Sequence, residues 1–109
     1  MVRGPGCRTL IAMRARPVIV QSDAYAGTVS TLVVAEVTKN LTMADDPACL
    51  FIDASKPEGG ATGLVRNSVV SCLVLVTVYA DAVTQVLGAL SPTMIQKLDD
   101  CLKAALGLP

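Results

Sequence analysis

The residue best placed for chemistry in this sequence is Arg16, which directly precedes Pro17 and the apolar run Val18-Ile19-Val20. Proline cannot donate a hydrogen bond to a sheet ladder and therefore favours the first position of a strand. The residue before a proline is biased toward extended backbone. We therefore expect Arg16 at the mouth of a strand, where its guanidinium can face a ligand. The alternative is a solvated surface arginine that flanks a core strand.

Other catalytic groups are limited by the composition. The chain has no histidine, and its four cysteines lack a C-x-x-C spacing. This excludes Cys/His and multi-histidine metal sites and every histidine-based triad, and we predict neither a metal nor a cofactor. Cys72 and Cys101 fall inside apolar patterns and are expected to be small buried thiols. Acid–base chemistry is left to carboxylate, arginine, hydroxyl, lysine or tyrosine groups.

Positive charge is concentrated near the N-terminus although the net charge is zero. Four of the nine cationic residues, Arg3, Arg8, Arg14 and Arg16, precede the first acidic residue, Asp23. A local patch of this kind can hold a few phosphates. The alternative is an N-terminal arm that serves only solubility.

The length of 109 residues predicts one domain, residues 1–109, of which 1–15 are poorly defined by pattern. Apolar residues make up 52% and aromatic residues 3%, so the core must consist of Val, Leu, Ile and Ala. The longest uncharged runs, 67–80 and 82–96, fall short of a membrane span. The apolar stretch 10–13 is too short for a signal peptide. We expect a soluble, cytoplasmic protein with no membrane segment.

Apolar and alternating patterns predict short strands over five segments: 9–13, 17–21, 31–38, 49–53 and 68–79. The period of two in segment 31–38 places Leu32, Val34, Glu36 and Thr38 on one face. Glu36 interrupts an otherwise apolar strand. It therefore either protects a sheet edge or shares a polar site with Thr38.

The segment 68–79 is apolar on both faces, a pattern typical of a strand buried on both sides. Because a small antiparallel barrel has a solvated outer face, we expect part of this strand to meet a second subunit. The segment 54–63 is rich in turn formers, and segment 81–90 fits either a helix or a short strand.

The segment 92–106 is predicted to be an amphipathic helix. Ser91 suits the N-cap and Pro92 the first helical position, and Gly107 suits the end. The apolar residues recur at helical spacing in one stripe: Met94, Leu98, Cys101, Leu102 and Ala105. Several strands followed by one helix predict a mainly β fold, a small antiparallel barrel or curled sheet with the helix packed against it.

Four segments taken in order resemble the MazF/PemK family of toxins from type II toxin–antitoxin pairs. They are Arg-Pro-Val-Ile-Val-Gln-Ser-Asp at 16–23, Val-Ala-Glu-Val-Thr-Lys-Asn at 34–40, Thr-Gly-Leu at 62–64 and Asn-Ser-Val-Val at 67–70. The tail from Gly88 to Leu106 continues the resemblance, which covers about residues 16–106. It implies a homodimer of SH3-like barrels that binds a cognate antitoxin protein. It also implies an endoribonuclease that cuts single-stranded RNA without metal and leaves a 2′,3′-cyclic phosphate.

The resemblance assigns roles to particular residues. The family's arginine before the proline matches Arg16, and its threonine at the end of the next strand matches Thr38. Its serine before the apolar strand matches Ser68. Glu36, on the Thr38 face, is our own candidate to accept the 2′-hydroxyl proton, although a salt bridge to an arginine would equally explain it. The predicted catalytic residues are thus Arg16, Thr38 and Glu36, and the predicted substrate-binding residues are Ser68, Arg14 and Gln21.

An alternative interpretation has the same barrel fold but no nuclease activity. The chain would then be an inactive relative that still holds an antitoxin, or a toxin that grips a protein target as the similarly folded CcdB family does. The pair Arg16 and Thr38 discriminates between the readings, because a pure protein binder has no chemical need to keep the two together.

Overall fold

The computed structural model describes residues 6–14 and 16–109. The strands are β1 (Thr9–Ile11), β2 (Val18–Ile19), β3 (Thr31–Thr38), β4 (Cys49–Ile52), β5 (Ser68–Tyr79) and β6 (Val86–Ala89). The helices are a single turn, α1 (Pro57–Gly60), and a long C-terminal helix, α2 (Pro92–Leu106). The strands form one antiparallel sheet in the order β4-β5-β3-β2-β1-β6, curled into a half-barrel. The predicted mainly β fold with a C-terminal helix is confirmed.

Strands β3 and β5 and helix α2 have the bounds that their patterns predicted. The predicted segments 9–13, 17–21 and 49–53 do contain strands, but each strand is shorter than its apolar run. The ambiguous segment 81–90 contains most of a 3-10 turn, Ala80–Ala82, and strand β6. The turn-rich segment 54–63 holds only α1. The strongest periodic segments were therefore the best predicted.

Helix α2 is capped as its sequence predicted. The Ser91 hydroxyl accepts a hydrogen bond from the Met94 N–H at 3.2 Å and donates one to Glu58 at 2.6 Å. Gly107 ends the helix in the left-handed conformation at φ 69°. Met94, Leu98 and Cys101 are buried against the sheet. No helix of residues 6–14 and 16–109 is long and apolar enough to cross a membrane.

Apolar side chains form separate clusters on the two faces of the sheet. Because successive strand residues point to opposite faces, Val18 joins the cluster beneath α2 and its neighbour Ile19 joins the other. In β3, Ala35 likewise belongs to the first cluster and Val34 to the second. The sheet is thus covered on both faces near β2 and the middle of β3.

Strand β5 changes its surroundings halfway along. Its first half lies between β3 and β4 and is buried, but the pairing with β4 reaches only as far as Ser71, which lies opposite Cys49, the first residue of β4. The register between β3 and β5 shifts by three residues at the step from Ala35 to Glu36. Beyond this point β5 pairs with β3 alone among the described strands, and Leu73 and Val76 are 55% and 49% exposed. Within a single chain only the first half of β5 is buried, and its exposed apolar second half is the part that the sequence pattern left for contact with a second subunit.

The N-terminal arginines do not form the single patch that the sequence suggested. Arg8 turns back onto helix α2, where its guanidinium contacts Asp99 at 2.6 Å. Arg14 and Arg16 lie in the connection between β1 and β2, and Arg3 lies outside the described residues. A phosphate site in this region can therefore use Arg14 and Arg16. Arg8 could join it only if its ion pair with Asp99 broke.

Candidate active site

A cleft of about 340 Å³ opens at one end of the sheet. Strands β2 and β5 lie on either side of β3 and run antiparallel to it. Val69 of β5 pairs with Thr38 and Val18 of β2 pairs with Ala35, so the segments that precede β2 and β5 both lie near the end of β3. Three segments far apart in sequence meet there. The residues that line the cleft are Met13, Arg14, Arg16, Val37, Thr38, Lys39, Leu64, Val65, Arg66 and Ser68.

Arg16 forms one side of the cleft from the β1–β2 connection. Its backbone N–H donates to the carbonyl of Met13 at 2.9 Å, and the side chain is exposed while Pro17 is buried. Its φ is +44°, in the left-handed region. The expectation of extended backbone before the proline is therefore wrong, because the tight connection overrides the local bias. Strained backbone of this kind persists when the surrounding structure fixes it, and it is common at functional sites.

Thr38 is the last residue of β3 and lies at the centre of the site. Its hydroxyl oxygen accepts a hydrogen bond from the backbone N–H of Asn40 at 3.1 Å. A hydroxyl has one hydrogen to donate and two lone pairs, so the Thr38 hydrogen stays available to a ligand in the cleft.

The segment before β5 forms the third wall, and internal hydrogen bonds hold it. The buried Thr62 hydroxyl accepts from the Leu64 N–H at 3.2 Å. The Ser68 hydroxyl, in a residue only 3% exposed, donates to the carbonyl of Arg66 at 2.8 Å. Gly63 has φ +82° and approaches Leu87 so closely that a Cβ would lie 2.8 Å from its carbonyl oxygen. The backbone that carries Arg66 is therefore fixed before any ligand binds.

The charge of the cleft is uniformly positive. Four of its lining residues are cations, Arg14, Arg16, Lys39 and Arg66, and none is acidic. All four are exposed. Sequence analysis missed Lys39 and Arg66, although Lys39 directly follows the predicted strand 31–38 and Arg66 lies two residues before the predicted strand 68–79. Such a surface suits a polyanion, since cations that neutralise phosphates release condensed counterions.

Two predicted site residues lie outside the cleft lining. Glu36 is two residues before Thr38 on β3 and pairs in register with Ser71. Gln21 uses its amide to bond β3, accepting from the Val33 N–H at 3.2 Å and donating to the Thr31 carbonyl at 3.1 Å. Arg14, Arg16, Thr38 and Ser68 do lie together. Residues 6–14 and 16–109 contain no cluster of three or more His, Cys, Asp or Glu side chains that could hold a metal ion.

The fold and the cleft are those of a protein class that comparison of the sequence with family profiles identifies. The family profile for the PemK-like, MazF-like toxin of type II toxin–antitoxin systems matches residues 12–106. The chain belongs to this family.

Among particular relatives, it is similar to Endoribonuclease MazF2 of Mycobacterium bovis and Endoribonuclease MazF6 of Mycobacterium tuberculosis. Each is 29% identical over 106 residues, which cover 96% of this chain and 89% of the relative.

Solved structures share the fold. An endoribonuclease from a mycobacterial species superposes with a TM-score of 0.78 at 20% identity, covering 100% of this chain and 97% of that one. An endoribonuclease in complex with its cognate antitoxin, also mycobacterial, has a TM-score of 0.78 at 20% identity, covering 96% of this chain and 97% of that one. A MazE–MazF structure from Deinococcus radiodurans has a TM-score of 0.75 at 15% identity, covering 97% and 99%.

Proposed function

We propose that this toxin is an endoribonuclease that cuts single-stranded RNA without a metal ion, by attack of a 2′-hydroxyl on the adjacent phosphorus. The observation that carries the proposal is that Arg16 and Thr38 line one cleft with three further cations and no acid. The names of the mycobacterial relatives, endoribonucleases MazF2 and MazF6, support the reaction class. Because the substrate would be cellular RNA, we expect the reaction to occur in the cytoplasm.

In this reaction the 2′-oxygen forms a bond to phosphorus while the bond to the 5′-oxygen breaks, leaving a 2′,3′-cyclic phosphate. Negative charge grows on the phosphate oxygens, and the Arg16 guanidinium can stabilise it with paired, charge-assisted hydrogen bonds. Thr38 can donate its free hydrogen to the same phosphate. The 2′-hydroxyl proton must leave and the 5′-oxygen must gain one, and an arginine with a pKa above ~12 is a poor acid for the second step.

Glu36 remains our candidate for the base, because it is the carboxylate nearest along β3 to Thr38. It does not line the cleft, so the assignment requires its carboxylate to act through a water or after rotation toward the RNA. Glu36→Gln separates this role from a purely structural one. Loss of cleavage with unchanged RNA affinity supports the base, and full cleavage by the variant rules it out.

The reaction is tested by incubating the toxin with mixed-sequence single-stranded RNA in EDTA and identifying the ends by mass spectrometry. We expect fragments with 2′,3′-cyclic phosphate and 5′-hydroxyl ends. Cleavage that stops in EDTA and returns with Mg²⁺ would contradict the metal-free route. Fragments with 3′-hydroxyl ends would contradict the cyclising one.

A second candidate function, a binding module without nuclease activity, is favoured by one observation. No lining residue of the described cleft is a carboxylate or a histidine, so no proton acceptor lies inside it. RNA that stays intact in the same incubation, while an antitoxin still binds, supports this reading.

We also propose that the active form is a homodimer that binds a cognate antitoxin. The exposed apolar residues on the second half of β5, Leu73, Val74, Val76 and Tyr79, form a surface that we call the β5 patch. It lies where the sequence pattern predicted contact with a second subunit. The mycobacterial structural relative solved in complex with its cognate antitoxin supports the antitoxin as partner.

A further inference from the structure

Arg66 and Ser68 are connected in a way that separates their roles at the RNA cleft. Ser68 is 3% exposed and its hydroxyl donates to the Arg66 carbonyl at 2.8 Å. Its hydrogen is therefore already used, and its burial keeps it from a nucleic acid. The Arg66 side chain, in contrast, is exposed and lines the cleft. Within residues 6–14 and 16–109 its guanidinium has no acidic partner, whereas that of Arg8 has Asp99.

We propose that Arg66 binds the RNA phosphate next to the scissile one, and that Ser68 is a positioning residue that acts by fixing the Arg66 backbone. The inference rests on the proposed RNA substrate. It adds Arg66 as a residue that contacts the substrate. It also changes the predicted role of Ser68 from direct contact with the substrate to positioning of Arg66.

The placement of the two phosphates follows from the strand order. Strand β3 lies between β2 and β5, so Arg16 and Arg66 stand on opposite sides of Thr38. Neighbouring strands are about 4.8 Å apart, so β2 and β5, which lead away from the two arginines, are separated by roughly 10 Å. Two successive phosphates of one RNA strand suit this spacing better than a single phosphate held by both side chains. Arg16 and Thr38 then hold the scissile phosphate, and Arg66 holds its neighbour on the β5 side.

Ser68 is one of several groups that fix this wall. The Asn67 side-chain oxygen accepts from the Ala54 N–H at 3.0 Å, and Thr62 holds Leu64. The wall is thus anchored to the chain at both ends, and the Ser68 bond fixes the carbonyl of the residue that carries the guanidinium. An arginine on a fixed backbone loses less conformational freedom when it binds a phosphate.

The test measures the dissociation constant of a single-stranded RNA oligonucleotide blocked by 2′-O-methylation, over a range of KCl concentrations. Each phosphate contact in a single strand contributes about 0.7 to the slope of log K against log salt. We expect Arg66→Ala to reduce the slope by about that amount and to raise Kd about 5-fold at 0.15 M salt. Lys97→Ala removes an exposed cation on α2, away from the cleft, and is expected to change neither value.

The positioning role is read from the double variant. Ser68→Ala is expected to raise Kd about 2-fold in the wild-type background and to have no effect in the Arg66→Ala background, because residues that act through one another are not additive. Equal effects in both backgrounds overturn the positioning role. If Ser68→Ala does not fold, the salt slope of Arg66→Ala still decides the phosphate contact.

The outcomes also separate this inference from the proposed function. If the Arg66→Ala variant has the wild-type slope of log K against log salt and RNA cleavage is intact, only the proposed contact between Arg66 and a phosphate is overturned. Uncut RNA that still binds with an Arg66-dependent slope overturns the nuclease alone. A wild-type protein that does not bind the oligonucleotide overturns both.

Discussion

Thr38 and Ser68 show that residue type alone does not decide what a hydroxyl can do. Both line the cleft. Thr38 accepts a hydrogen bond from the Asn40 N–H and keeps its hydrogen, whereas Ser68 donates its hydrogen to the Arg66 carbonyl. The resemblance predicted direct roles for both. It could not distinguish them, because the hydrogen bonds of a side chain depend on backbone groups whose position a sequence pattern does not give.

The role of Thr38 is tested by paired substitutions. Thr38→Val keeps the shape but removes the donor, and we expect single-turnover cleavage to fall about 100-fold, the usual effect of removing one transition-state hydrogen bond. Thr38→Ser keeps the hydroxyl and is expected to stay within about 10-fold of wild type. Equal rates for the valine and serine variants would show that the hydroxyl takes no part.

The buried thiol of Cys72 makes the stability of the fold depend on pH in the alkaline range. Burial raises the pKa of its thiol to about 12 from 9.0, with smaller contributions from nearby Cys101 and Cys49. The unfolded chain therefore loses this proton near pH 9 while the folded chain keeps it, so the stabilisation is fully present below pH 9 and is lost as the pH rises toward 12. We expect the urea midpoint of unfolding to fall across this range, and Cys72→Ala to make the fall shallower. Parallel curves for the two proteins would contradict the buried thiol's part in it.

At the scale of elements, the start of strand β1 depends on Arg8. Its φ is +65°, and its guanidinium contacts Asp99 of α2 at 2.6 Å and the Val20 carbonyl at 2.9 Å. These bonds join the first strand to the helix. The left-handed conformation is unfavourable for a residue with a Cβ, so the side-chain bonds offset local strain.

Three variants separate the bonds of Arg8 from its backbone strain. We expect Arg8→Ala to lower the free energy of unfolding by about 2 kcal/mol through its lost charged hydrogen bonds. Arg8→Gly should be more stable than Arg8→Ala by about 1 kcal/mol, since glycine adopts positive φ without strain. Asp99→Ala removes the ion pair but leaves the backbone and the Val20 bond. Urea denaturation of the three proteins gives the ranking, and an alanine variant as stable as the glycine variant would contradict the strain.

The elements that the sequence predicted best are those with the longest regular patterns. The alternation in β3 and the apolar stripe of α2 extend over whole elements, so their bounds follow from burial of one face. The two-residue strand β2 and the three-residue β1 are set by pairing with distant strands. The three-residue register shift between β3 and β5 left no local signal. The shift lies where the burial of β5 within one chain ends, and the sequence pattern did not show where along the strand that change falls.

The sequence predicted only some of the residues of the candidate site. The family resemblance placed Arg16 and Thr38 in one site, and the antiparallel order of β2, β3 and β5 brings the segments that carry them to one end of the sheet. Lys39 and Arg66 were missed because both lie just outside strands, Lys39 one residue after β3 and Arg66 two residues before β5, where the direction of the chain is set by turns. Gln21 was predicted to face the substrate, but its amide bonds the backbone of β3.

At the scale of the molecule, the β5 patch is an apolar strand surface that a single chain leaves uncovered. Leu73, Val74 and Val76 are 55%, 41% and 49% exposed on a strand paired on one edge. Several exposed apolar side chains along one strand are a feature that favours an interface. The same strand begins at Ser68 in the cleft wall, so β5 connects the patch to the candidate site.

A charge within the β5 patch should separate the subunits. We expect wild-type protein to scatter light as twice its 11.3 kDa chain mass at micromolar concentration. Val76→Lys should shift the mass toward one chain, because a buried lysine in an apolar interface loses its hydration. Leu108→Lys places the same charge at an exposed apolar residue near the C-terminus and should leave the dimer intact. A monomeric wild type, or an unchanged mass for Val76→Lys, would contradict the interface.

The sheet as a whole builds the site from the β1–β2 connection, the end of β3 and the segment that leads into β5, and we assign Arg16 to the scissile phosphate. Single-turnover cleavage of a single-stranded RNA at saturating toxin tests this most directly. We predict that Arg16→Ala lowers the rate about 1,000-fold, that Arg16→Lys recovers only part of it for lack of the guanidinium's paired donors, and that Lys97→Ala has no effect, with all circular dichroism spectra unchanged. An Arg16→Ala variant that is folded and cuts RNA at the wild-type rate would contradict the account.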